Sequence, residues 1–89
     1  MTATLNNLNT GDLFAVTKGT WLGSTLVLME SDKDDINFLC LTNMENMSIK
    51  TADVLDCINN DILELLESLP QDIMSTCKKQ YEKNLNSRQ

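Results

Sequence analysis

The sequence predicts an α+β fold: an antiparallel β-meander of three to four strands followed by two C-terminal helices. Three observations carry this expectation. Up to Lys50 the apolar residues come in short runs of Val, Leu, Ile and Phe, separated by clusters of Gly, Asp, Asn and Ser, which is how strands and hairpin turns read. From Thr51 the apolar spacing lengthens from two residues to about 3.6, the period of a helix. Pro70 then divides the helical part, because the residue before a proline avoids the α region. The 89 residues fit one domain with one core, apportioned as a meander over 11–50, a first helix over 51–69 and a second over 70–86.

Residues 2–9 show no sustained period and read as an arm or a short entry turn. Gly11-Asp12 opens a first strand over 13–17, and Lys18-Gly19-Thr20 marks its turn, since glycine reaches the positive φ of tight hairpins. Residues 22–29, rich in Thr, Val and Leu, form the second strand. The polar run Ser31-Asp32-Lys33-Asp34-Asp35 is the next turn, and 36–41 the third strand, with Ile36, Phe38 and Cys40 sharing a face. Residues 43–46 turn again and 47–50 make a short edge strand. Two of these strands are apolar on both faces, so one face should meet the helices and the other a barrel interior or a second subunit. A homo-oligomer, a dimer in its simplest form, is expected on that ground.

In the first helix Val54, Leu55, Ile58, Ile62, Leu65, Leu66 and Leu69 form a wide apolar stripe. Thr51 is the expected N-cap, with Asp53 in the first turn. A break at Asn59-Asn60 is open, with Asp61 and Glu64 as a fresh capping box. The second helix carries Ile73, Met74, Cys77, Tyr81 and Leu85. Its early Asp72 and late Lys78, Lys79 and Lys83 complement the helix dipole.

The formal net charge is −6, unevenly distributed. The first 70 residues carry eleven acidic and three basic groups, and the remainder two acidic and four basic. Such a body repels nucleic acid and anionic membranes and steers toward basic partners. Cys40, Cys57 and Cys77 are odd in number and far apart, a pattern of buried thiols in a reducing compartment. No apolar stretch suits a bilayer span or a signal peptide, and the expected location is the cytoplasm.

The chemistry-bearing motifs of enzymes are missing. There is no histidine, no G-x-S-x-G elbow, no phosphate-binding glycine loop, and no cysteine beside a base. Asp32-Lys33-Asp34-Asp35 starts like a calcium loop, but Asn37 stands where glycine is needed and Asn43 where the bidentate glutamate belongs. A solvated hairpin tip accounts for it. No catalysis, metal or cofactor is expected.

Two surfaces are candidates for binding. Lys18, Thr20 and Trp21 sit between Gly19 and Gly23. There Trp21 either stacks on a flat ligand or closes one end of the core. Asp53, Asp56, Asn60, Glu64 and Glu67 fall on the polar face of the first helix, either as a solvated face or as a strip that docks on a basic protein surface. Lys78, Lys79, Lys83 and Arg88 form a small basic end that serves the helix dipole or pairs with the strip.

Gly11-Asp12-Leu13-Phe14, then Gly19, Gly23 and Leu26-Val27-Leu28, resemble the opening of small SH3-like barrels, the plasmid-maintenance endoribonuclease toxins among them. The resemblance implies a closed barrel for the meander. The toxins' basic RNA groove has no counterpart among the three basic residues of the first 70, so their activity does not carry over. In style the chain is similar to small bacteriophage accessory proteins: short, acidic and rich in Asn and Asp. The expected function is a small acidic non-enzymatic binding protein, a phage-type inhibitor that binds and blocks a host protein with a basic surface. The alternatives are an oligomeric module sequestering a small anionic or nucleotide ligand, and a structural or assembly subunit.

Overall fold

The computed structural model describes residues 8–87. Along the chain run β1 (Asp12–Val16), β2 (Thr25–Ser31), β3 (Asp35–Cys40), β4 (Glu45–Lys50), α1 (Thr51–Asn59), β5 (Leu63–Ser68) and α2 (Gln71–Asn86). The five strands make one open antiparallel sheet in the order β4-β3-β2-β1-β5. It is not a closed barrel: β4 and β5 are its two edges.

Successive side chains of a strand point to opposite faces, so β2 feeds two cores. Leu26 and Leu28 join Phe14, Val16, Ile36, Phe38, Cys40 and Leu63 beneath Val54 of α1. Phe14 and Phe38 meet edge to face at 6.0 Å between ring centres, a favoured aromatic geometry. On the other face Val27 joins Met29 and Leu39 beneath Cys77 and Tyr81 of α2. The chain is thus a three-layer α/β/α sandwich. This explains the two-sided apolar strands: the second face, from which a dimer was expected, is covered by α2 of the same chain.

The helix expected over 51–69 is corrected to a nine-residue helix and an edge strand. At the end of α1, Asp61 takes the left-handed conformation with φ 59°. The Ile62 amide donates to the Cys57 carbonyl at 2.8 Å and the Asp61 amide to the Ile58 carbonyl at 3.2 Å. This is a Schellman stop with aspartate where glycine is usual, so Asp61 closes α1 and opens no new helix. β5 then pairs with β1, with Val16 opposite Leu63 and Phe14 opposite Leu65. A β-bulge follows and leaves Leu66 outside the register.

Other expectations shift less. The expected strand over 22–29 is displaced to Thr25–Ser31, and Leu22 lies in the preceding turn. Thr51 is the first helical residue and not the N-cap, which is Lys50. Its hydroxyl donates to the Asp32 carbonyl at 2.7 Å and ties α1 to the β2–β3 turn. The second helix lies close to its expected span, with Pro70 as its N-cap residue, but Ile73 and Leu85 are exposed. Cys40 is buried at 1% exposure, as expected. The expected arm falls outside the described residues except for Leu8, which is buried, and Asn9. No helix among the described residues is long and apolar enough to cross a membrane.

Candidate functional site

The β1–β2 connection, residues 17–24, is tighter than a coil of its length. The Gly23 amide donates to the Val16 carbonyl at 3.1 Å and the Val16 amide to the Ser24 carbonyl at 2.9 Å, closing its base. Leu22 donates to Gly19 and Ser24 to Trp21. Gly19 and Gly23 hold φ of 88° and 91°, which L side chains rarely adopt. The result is a fixed loop presenting Trp21 at 54% and Leu22 at 66% exposure. Trp21 therefore does not close the core.

Beneath this loop, on the α1 side of the sheet, lies a cleft of about 530 Å³. Its floor is the core itself: Val16, Leu26 and Leu63. Met47 and Ile49 of β4 form one wall, Cys57 of α1 and Ile62 another, and Lys18, Thr20 and Trp21 the rim. The three residues singled out around the first turn thus converge on one cavity. Lys18 is the one cation on its lining among the described residues. The cleft is in the size range of ligand and side-chain pockets.

The cleft is electrostatically biased. The Cys57 thiol is pushed up from its ordinary value by burial, then by the charges of Asp53 and Asp56. Both aspartates are exposed on α1, so a negative field reaches the apolar wall. Such a field favours a cationic group at the mouth and disfavours an anion, except beside Lys18.

The acidic strip does not exist as a helix face. Asp53 and Asp56 are on α1, whereas Glu64 and Glu67 are on β5, opposite Ala15 and Leu13 of β1. That register points Glu64 and Glu67 to the α2 side of the sheet, away from α1. Asn60 is the C-cap of α1, its side-chain amide donating to the Asp56 carbonyl at 2.8 Å. The strip is split because the helical period that aligned it ends at Asn59. All four acidic residues remain exposed.

Two further places are accounted for structurally. Asp32 accepts the amides of Asp34 and Asp35, each at 2.8 Å, which hold its carboxyl below the usual range. Among the described residues no three His, Cys, Asp or Glu side chains converge to hold a metal. Over the last turns of α2 a depression of about 560 Å³ includes Lys79 and Lys83. Its lining is wholly solvent-facing and has no packed floor. Arg88 lies outside the described residues.

Met47, Ile49, Cys57 and Ile62 were not expected at the site. They come from β4, α1 and the α1–β5 turn. Pairing with β3 places Met47 and Ile49 on the α1-side core, where Cys57 also packs, and that long-range packing gathers them beside the loop. The chain matches no known protein family, no curated protein and no solved structure.

Proposed function

We propose that this chain is a non-enzymatic protein-binding module. It grips a partner with a basic surface by seating an apolar side chain in the cleft beneath Trp21, and so blocks the surface it covers. The observation that carries this reading is the pairing of a floored apolar cleft with a fixed, half-exposed Trp21–Leu22 tip. Large apolar residues held rigidly in the open are the anatomy of a binding hot spot, because tryptophan contributes area at little entropic cost. The acidic body supports the choice of partner: it attracts a basic surface over about 8–10 Å at physiological salt.

Trp21 is the sole tryptophan and reports on its own site. A stoichiometric partner recovered from cells of the source should shift Trp21 emission. Trp21→Ala together with Leu22→Ser should weaken binding by about 2 kcal/mol or more without changing thermal stability, since both side chains face solvent. Undiminished binding by that double variant would overturn the reading. A second reading, sequestration of a small flat anion, is favoured by Lys18, Thr20 and Trp21 lining one cavity. Native mass spectrometry showing a bound small molecule, lost in Lys18→Ala, would support it over the first.

A further inference from the structure

The two edges of the sheet differ in a way that bears on how a partner docks. β4 is blunted: its exposed positions Glu45, Ser48 and Lys50 are polar. Its Asn46 is bound to α2, donating to the Tyr81 carbonyl at 3.1 Å and accepting from the Asn84 amide at 2.9 Å. β5 is the reverse. β1 takes its inner edge, and among the described residues no strand takes the outer one. Leu65 and Leu66 stand on it at 50% and 51% exposure, and neither proline nor lysine interrupts residues 63–68. An unpaired edge with exposed leucines is a template for another strand.

The charges on β5 select the occupant. Pairing two β5 strands antiparallel about their centre would set Glu64 opposite Glu67 of the second copy, and Glu67 opposite its Glu64. Like charges directly opposite destabilise a strand pair, so the edge rejects itself. The bulge at Leu66 adds local twist and keeps any added strand short. A strand with lysine or arginine opposite Glu64 and Glu67, and an apolar residue opposite Leu65, meets no such penalty.

We propose that β5 is a β-augmentation edge for a short, extended, basic-apolar segment of a protein partner. The inference rests on the proposed partner binding only for the partner's positive charge. Leu63 opens β5 and also floors the cleft, so a strand laid on β5 passes directly beside it.

The test uses the whole chain, isotope-labelled for amide NMR, and a capped heptapeptide alternating Lys and Val. The expected result is shifts concentrated on residues 63–68 and β1. N-methylation of alternate peptide amides, at the Val or at the Lys positions, should abolish binding in one of the two series, because main-chain bonds carry an added strand. Glu64→Lys with Glu67→Lys should weaken the Lys–Val peptide roughly tenfold and let a Glu–Val peptide bind, with thermal melting confirming the fold. Shifts gathered on Asp53, Asp56 and the β2–β3 turn would overturn the proposal, as would equal binding by both N-methylated series. So would a dimer in solution that Leu65→Lys dissociates, which would give the edge to a second copy. Trp21→Ala with Leu22→Ser leaves β5 intact and should leave this peptide's binding unchanged, so failure at β5 is separable from failure of the cleft.

Discussion

Removing one hydroxyl should change how the fold responds to alkali. Tyr81, on the sheet-facing side of α2, is 5% exposed, and its hydroxyl donates to the Glu30 carboxylate at 2.9 Å. Burial first, then that hydrogen bond and the Glu30 charge, push its pKa up to about 12. An unfolded tyrosine titrates near 10. Because the folded pKa is the higher, the stabilisation is complete below pH 10 and is lost as pH rises from 10 toward 12. The full shift corresponds to about 2.7 kcal/mol. Glu30 is solvent-exposed, which screens its share, so the expected loss is about 1–2 kcal/mol. At pH 8, Tyr81→Phe should cost about 0.5–1.5 kcal/mol, the net worth of the hydrogen bond. Urea unfolding followed by circular dichroism, at half-unit steps from pH 8 to 11.5, should show the two proteins converging above pH 10. Cys57 and Cys77 also carry raised pKa values, but they are common to both proteins and cancel in the difference. A stability gap that stays constant to pH 11.5 would refute the reasoning.

Three more outcomes follow from single contacts. Asp12 is 2% exposed and accepts the Asn9 amide at 2.9 Å and the Ser68 hydroxyl at 2.8 Å. Asp12→Ala should therefore cost about 1–2 kcal/mol through loss of both hydrogen bonds, measured as a lower urea midpoint. Asp61 holds φ 59° at the end of α1, so Asp61→Gly should raise stability by about 0.5–1 kcal/mol and Asp61→Val should lower it, read from thermal melts. Cys57 lies on the cleft wall with its thiol raised by burial and by Asp53 and Asp56. Asp53→Asn with Asp56→Asn should therefore speed its labelling by a thiol reagent at pH 7 to 8, while Cys40, at 1% exposure, stays unreactive in the native state.

By itself the sequence determined the first four strands, to within three residues at each end, and the last helix. Period-two runs between glycine, asparagine and aspartate clusters are set by local sterics and by which residues can face a core. It also singled out Lys18, Thr20 and Trp21, because a tryptophan between two glycines is unusual wherever it sits. Only the tertiary structure decided the fate of residues 60–69. Ile62, Leu65, Leu66 and Leu69 continue the helical stripe of Val54 and Ile58, and leucine is a better helix former than strand former. Locally, only Asn59-Asn60-Asp61 signalled the stop. What the helix could not supply was a partner for the open edge of β1, whose backbone groups need hydrogen bonds once Phe14 and Val16 are buried. The strand supplies it, and in doing so it turns Glu64 and Glu67 away from Asp53 and Asp56. The same long-range choice sends α2 to the opposite face from α1, covers that face within the chain, and leaves β5 as the edge. Periodicity registers neighbours along the chain, whereas strand pairing joins residues some fifty positions apart, as Phe14 and Leu65 are here.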